Sequence, residues 1–456
     1  METSSREALS EKEQSILESY EGLDFTVENL GRRSVRSPIA EARFIEDDQR
    51  VVYPLDLRDI EILRKAGRPV PSFEMGGPRE YIYFDPAKLR SAIVTCGGLC
   101  PGVNDVIRAL VMQLTYVYGA KNIIGIRYGL EGFIPKYKHE QVQLDRLAVQ
   151  NIHHHGGTLL GSSRGHQDTS QIVDALERMN INVLFMIGGD GTLRASIKIK
   201  DEIQSRGLKI GVVCIPKTID NDISFIQKSF GFETAFSTAV QAIGAAHNEA
   251  KGAFNGIGLV QVMGRHSGHI AVHAALGMRE VNFVLIPEVD FDLHGPKGFF
   301  EALRKRVVER QHAVVVVAEG AGQRHLRAIS DDKPVEYDKS GNISLLNIGR
   351  FLRQEITKHF HEREIPITLK YIDPSYIIRS QRANPIDSVF AGLLAQNAVH
   401  AAMAGKTGIV MGRWGAQFTH LPASAAVSRR KAVDPDLWRS VTEATGQPAS
   451  FTNDED

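Results

Sequence analysis

Cysteine is scarce: three residues in 456, at positions 96, 100 and 214. A sparse, odd set builds no disulfide framework and fits a reducing compartment, so a cytoplasmic protein is expected. Charge of one sign is also missing. Lys plus Arg is 54 and Asp plus Glu is 54. No global field therefore draws the chain to nucleic acid or to an anionic membrane, and an anionic ligand must be held by local groups. No apolar run reaches the roughly eighteen residues of a membrane span. Residues 1–22 lack the apolar core of a signal peptide and the acid-poor bias of a transit peptide. Asn453-Asp454-Glu455-Asp456 carries no retention tail. Zinc-type spacing is absent too. Cys96 and Cys100 have no second Cys/His pair, and consecutive His153, His154 and His155 would point to alternate faces.

What is present is a globular composition, 43% apolar, in a chain too long for one compact core. Residues 1–88 read as an N-terminal extension, with helical patterning over 6–20 and scattered prolines, packed on the main body or on another subunit. From residue 89 strands and helices alternate. Apolar strands are expected at 91–95, 122–127, 183–187, 210–215, 256–262, 281–286, 313–318, 368–372 and 408–411. Helices are expected from Val103, over 195–206, 233–251, 269–278, 296–310, 345–360 and 386–404. This pattern predicts an α/β protein with parallel sheets.

The chemistry-bearing residues collect just past strand ends, where open α/β sheets place their sites. Pro216-Lys217-Thr218-Ile219-Asp220-Asn221-Asp222 puts two carboxylates two residues apart, one suited to general base and one to orienter. A polar turn with a helix cap is the plain alternative. Gly97-Gly98 lies between a strand and a helix, and Gly188-Gly189-Asp190-Gly191-Thr192 follows another strand. Bare backbone there can lie against a phosphate chain, and one carboxylate can serve a Mg²⁺ that keeps its waters. Arg164 and Gly165 end a glycine- and hydroxyl-rich loop. Met263-Gly264-Arg265, Glu319 and Tyr376-Ile377-Ile378-Arg379 stand at three further strand ends. Arginines there suit phosphate, because a guanidinium donates two parallel bonds.

In this order, Gly97-Gly98, Gly188 to Thr192, Pro216 to Asp222 and Met263 to Arg265 resemble the phosphofructokinase family over about residues 90–412. Tyr371-Ile372-Asp373-Pro374-Ser375-Tyr376 is similar to its plant and trypanosomatid ATP-dependent branch. The resemblance implies a two-lobed, three-layer α/β/α fold. An ATP-binding lobe would span residues 89–231 plus about 380–420, a fructose 6-phosphate lobe 232–379, and a C-terminal segment 421–456. It implies phosphoryl transfer from ATP, with Mg²⁺, to the 1-hydroxyl of fructose 6-phosphate, by a homodimer or homotetramer.

By the resemblance, Asp220 is the catalytic base, and Thr218, Asp222 and Arg265 assist it. Gly97, Arg164, Gly165, Gly189, Asp190, Gly191 and Thr192 hold the nucleotide, with Asp190 on Mg²⁺. Thr218, Ile219, Asp220, Met263, Gly264, Arg265, Glu319, Tyr376, Ile377, Ile378 and Arg379 hold the sugar phosphate. Two residues bear on the donor. Gly191 favours ATP, since pyrophosphate users have Asp there, whereas Lys217 is shared with pyrophosphate users. Gly256 replaces an arginine, and Tyr376 a histidine, of bacterial members. Bacterial effector residues do not align, so no regulator is assigned. Pyrophosphate as donor, or a silent sugar-phosphate-binding subunit, are the competing readings.

Overall fold

The apolar runs at 183–188 and 211–216 become neighbouring parallel strands, paired from Gly211 with Val183 to Pro216 with Gly188. On the other side, Thr95 pairs with Ile187. Three strands thus end side by side, and the turns after Thr95, Gly188 and Pro216 emerge together. Near-continuous apolar strands of this kind are buried on both faces. The computed structural model describes residues 10–329, 336–337 and 343–453. Within them these strands belong to a nine-stranded sheet. Its order is Arg50–Val52, Ser72–Met75, Gln417–Pro422, Ile409–Trp414, Gly211–Pro216, Val183–Gly188, Arg90–Thr95, Asn122–Ile126, Val142–Gln143. The five strands from Ile409–Trp414 to Asn122–Ile126 run parallel, and antiparallel strands close both flanks.

A second sheet is all parallel, in the order Phe283–Leu285, His312–Ala318, Gly256–Val262, Thr368–Ile372. Val262 pairs with Ala318 and Val260 with Ile372. The same logic therefore delivers Met263, Glu319 and Asp373 to one edge. Helix Phe232–Lys251 leads from the first sheet to the second and packs on both Gly256–Val262 and helix His269–Met278. Its alternating small residues leave Ala235, Ala239, Ile243 and Ala246 buried in the shared core.

The described residues up to 88 pack on the main body, one of the two placements expected for them, and do so as strands of its sheets. Arg50–Val52 and Ser72–Met75 extend the large sheet, and Glu28–Asn29 pairs with Lys406–Thr407. Strands this short carry no readable alternation, which is why the sequence hid them. The C-terminal segment likewise serves both sheets. Ile223 bridges to Arg430, while Phe451 is buried against Phe283 and Phe299 of the second core.

A buried charge cluster locks the early strands in place. Glu74 Oε1 lies 3.0 Å from Arg79 Nη2, 2.7 Å from Lys406 Nζ and 2.9 Å from His420 Nδ1. Burial would raise the Glu74 pKa, but the His420 hydrogen bond and Lys406 bring it down to about 2. A depressed carboxyl pKa adds stability above its unfolded value and loses it as pH falls toward the folded one. Glu74→Gln leaves buried Arg79 and Lys406 sharing the single Asp47 carboxylate, so we expect a loss of about 3 kcal/mol at pH 7 in urea unfolding. Wild type should converge on the variant between pH 4.5 and 2.

Candidate active site

The Lys217-to-Asp222 loop is held by its own side chains. Thr218 Oγ1 accepts from the Asp220 N–H at 3.1 Å and donates to Asp222 Oδ1 at 3.1 Å. Asn221 takes a left-handed conformation, φ 53°, which short amide side chains tolerate. Its Oδ1 accepts the Ser229 N–H at 3.1 Å, and Ser229 Oγ donates to the Thr218 carbonyl at 2.6 Å. From the second sheet, Ser267 Oγ donates to the Asp220 carbonyl at 3.0 Å. From the C-terminal segment, the Lys431 N–H donates to the Asp222 carbonyl at 3.0 Å, and its ammonium to Ile226 and Gln227 carbonyls.

Asp220 is left poised. Its Oδ1 is buried and has no hydrogen-bond partner among the described residues. Burial pushes its pKa up to about 7, helped by the neighbouring Asp222 and Glu319 carboxylates and opposed by Arg379. Glu319 is pushed up by burial as well, with Arg379 and Arg265 opposing. Perturbed carboxylates beside cations in a cleft are the usual mark of catalytic acid–base groups.

The cations converge on one glycine. Lys217 Nζ donates to the Gly98 carbonyl at 2.7 Å. A Cβ on Gly98 would stand 3.0 Å from both Arg164 Nη2 and Arg379 Nη1. Gly98 thus lets three positive groups from separate segments meet, none in an ion pair among the described residues. Burial drives the Lys217 pKa down, with Arg379 and Arg164 adding to the effect. Such a cluster matches an anion that spans both lobes. Lys217→Met keeps the bulk and removes a charge that burial already disfavours. Tm should hold or rise while kcat falls about 10²-fold. A kcat within twofold of wild type would take Lys217 out of the chemistry.

Gly97 joins the Arg164 loop: its N–H donates to the Ser163 carbonyl at 3.1 Å, and Ser162 Oγ donates to its carbonyl at 2.6 Å. Gly165 follows in that loop. The helix expected at 195–206 begins earlier, as Asp190–Ser205, with Gly189 as its N-cap. Asp190 and Gly191 therefore open a helix rather than occupy a turn. Gly191 faces open space, and a Cβ there would have nothing within 4 Å. Asp190 pairs with Arg194 of the next turn at 3.1 Å. Thr192 is buried, its hydroxyl packed over Gly188.

On the second sheet, Gly264 has φ +130°, and a Cβ there would meet the Ser267 carbonyl at 2.4 Å. Only glycine turns the chain so tightly between Met263, which is buried, and Arg265. Arg265 Nη2 donates to the Ile343 carbonyl. Ile219 is buried in the core. Residues 375–380, just past the strand end, form a short helix. It delivers Arg379 to Gly98 and buries Ile378, but leaves Tyr376 89% and Ile377 66% exposed. Within one chain these two are not brought to the cleft. Ser267 and Lys431 approach the site and were not expected there, and Gly98 was expected as phosphate-facing backbone, not as the meeting point of the cations. Gly98 sat in the quoted glycine turn, whereas nothing local marks Lys431.

A strand-end cleft with a buried, unpartnered carboxylate oxygen, bare glycine backbone and converging cations fits a phosphotransferase type of site. The phosphofructokinase family model matches residues 90–402, and the chain belongs to the phosphofructokinase family. A Borreliella burgdorferi protein named ATP-dependent 6-phosphofructokinase is 47% identical over 445 residues, covering 95% of this chain and 99% of that one. A Trypanosoma brucei brucei protein of the same name is 43% identical over 377 residues, 82% of this chain and 76% of that one. Among solved structures, a pyrophosphate-dependent phosphofructokinase from Marinobacter aquaeolei aligns with TM-score 0.63 at 20% identity, covering 76% of this chain and 86% of that one. That likeness concerns the fold.

Proposed function

We infer that this chain is an ATP-dependent 6-phosphofructokinase, which moves a phosphoryl group from ATP to the 1-hydroxyl of fructose 6-phosphate and yields fructose 1,6-bisphosphate. The observation that carries the mechanism is Asp220, a carboxylate with a bare buried oxygen and a raised pKa beside the Arg164–Lys217–Arg379 cluster. Asp220 takes the proton from the sugar hydroxyl. Thr218 and Asp222 hold its loop. Arg265 and Arg379, with Glu319, Ile219, Met263 and Gly264, take the sugar phosphate, while exposed Tyr376 and Ile377 stand outside it within one chain. Gly97, Arg164, Gly165 and Gly189 to Thr192 take the nucleotide. Asp190 fits Mg²⁺, since it is a partly exposed hard oxygen donor whose only tie among the described residues is an exchangeable pair with Arg194. Bound there, the ion would neutralise charge on the transferring phosphate.

The assembly is a homodimer or homotetramer. Ile386, Val389 and Leu393 form an exposed apolar stripe on helix Pro385–Met403, close in sequence to exposed Tyr376 and Ile377. A second copy covering this face accounts for it. Sedimentation of Ile386→Glu/Val389→Glu should show a smaller species than wild type. Among the described residues no helix is long and apolar enough to cross a membrane. The three free cysteines suit a reducing compartment, and on that ground we place the enzyme in the cytoplasm. Steady-state turnover with fructose 6-phosphate and Mg²⁺, run with ATP and with pyrophosphate, tests the reading. Turnover with ATP alone supports it. Pyrophosphate alone would replace the donor, and silence with both would favour a regulatory subunit.

A further inference from the structure

Helix Ile348–His361 buries Ile348, Leu352, Ile356 and Phe360 against the second sheet. Its opposite stripe is unusual. Arg350, Arg353, Gln354, Thr357, Lys358 and His361 recur at helical spacing and, with Tyr371 of the neighbouring strand, line a groove of about 800 Å³. No acidic side chain lines it among the described residues. Arg350, Arg353, Lys358 and His361 make no ion pair among the described residues. On an ordinary surface helix, cations are interspersed with carboxylates three or four residues away. Here Arg350, Arg353 and Lys358, with the imidazole of His361, line one concave wall, with amide and hydroxyl donors between them, while Glu355 and Glu362 lie outside the lining. The balanced charge of the whole chain makes so local an excess more informative.

We propose that this groove is a second anion-binding site, for a small polyphosphate or a metabolite carrying more than one phosphate. The spacing argues for more than one charge. Arg350 and Arg353 form one pole and Lys358 and His361 the other, along a helix that rises ~1.5 Å per residue, so the poles are on the order of 10 Å apart. A single phosphate reaches only one pole. Tyr371 fixes the groove floor, its hydroxyl donating to Asn347 Oδ1 at 3.3 Å, the same atom that caps the helix through the Arg350 N–H.

The groove is mechanically tied to the sugar side of the cleft. The Gly349 N–H donates to Gln261 Oε1 at 2.8 Å, and Gln261 lies in the strand that leads into Met263. Gln261 Nε2 in turn donates to Asp373 Oδ2 at 3.4 Å, just before the helix bearing Arg379. An occupant that pulls on the helix start acts on both arms of that link.

The test is isothermal titration of the whole enzyme saturated with fructose 6-phosphate and a non-hydrolysable ATP analogue. One arm uses inorganic tripolyphosphate and the other inorganic phosphate. The expected result is one tripolyphosphate per chain, at least tenfold tighter than phosphate, and at least tenfold weakened in Arg353→Glu/Lys358→Glu. Phosphate binding as tightly as tripolyphosphate would overturn the two-pole reading. Equal tripolyphosphate affinity in variant and wild type, or no binding to wild type, would overturn the site. Both variant positions are exposed, and Arg353→Gln/Lys358→Gln supplies a milder pair should the double reversal misfold. Turnover of the same variant separates this idea from the assigned reaction: kcat and KM should stay within twofold of wild type. A tenfold rise in KM for fructose 6-phosphate would instead make the groove part of the substrate site and overturn its separateness.

Discussion

Asp220→Asn should lower kcat by about 10²–10⁴-fold, with KM for fructose 6-phosphate changed little. The asparagine keeps the shape and the loop. The backbone N–H that Thr218 holds and the carbonyl that Ser267 holds are both retained. What is lost is the proton acceptor. Phosphoryl transfer otherwise relies on positioning and charge neutralisation, which the Arg164–Lys217–Arg379 cluster still supplies, so residual turnover above background is expected. A variant within tenfold of wild type would remove Asp220 as the base.

Its pH behaviour gives a second, independent readout. Burial and the Asp222 charge hold the Asp220 carboxyl up to about 7. The base must be ionised to act, so wild-type kcat/KM should fall as pH drops through that region. Asp220→Asn should lack this limb. Stability runs the other way. A folded-state pKa above the unfolded value means the native chain binds the proton more tightly. Between ordinary aspartate values near ~4 and about 7, rising pH therefore costs stability. At pH 8 the variant should melt above wild type, and near pH 4 the two should meet. A Tm below wild type at pH 8 would mean the carboxylate is better solvated than its bare Oδ1 implies.

The parallel strands of both sheets were legible because each is an apolar run bounded by glycine or polar turns, and residues 256–262, 269–278 and 368–372 carry the bounds expected of them. The site followed from the same pattern, since parallel strands in register bring their terminal turns together. Long-range contacts were not legible. Arg164 and Arg379 lie more than two hundred residues apart and meet only because Gly98 has no side chain. The Glu74–Arg79–Lys406–His420 cluster joins both ends of the chain, and no local spacing encodes it. Tyr376 was placed in the cleft by the family resemblance alone, yet a six-residue helix turns it outward while turning Arg379 in. Lys431 reaches the Asp222 carbonyl from a segment whose sequence carries no motif at all.

Gly191→Asp should cut kcat/KM for ATP by about 10²-fold or more and leave Tm unchanged or slightly raised. The second half makes the first interpretable. Nothing lies within 4 Å of a Cβ at Gly191, so the substitution meets no protein atom. The position is in the first turn of helix Asp190–Ser205, where an added carboxylate faces the positive end of the helix dipole. Any loss therefore belongs to the ligand. In the proposed site a nucleotide phosphate passes over this open position, and a like charge brought against it costs several kcal/mol, each ~1.4 being tenfold in affinity. A pyrophosphate donor ends short of that phosphate and would be spared. Wild type and variant assayed with both donors thus weigh Gly191 against Lys217. If the variant loses ATP turnover without gaining pyrophosphate turnover, the glycine opens the nucleotide site and the lysine serves the transferring phosphate common to both donors. If ATP turnover survives the new carboxylate, the nucleotide does not cross Gly191. The donor would then have to lie on the Gly98 side of the cleft, where Lys217, Arg164 and Arg379 already meet.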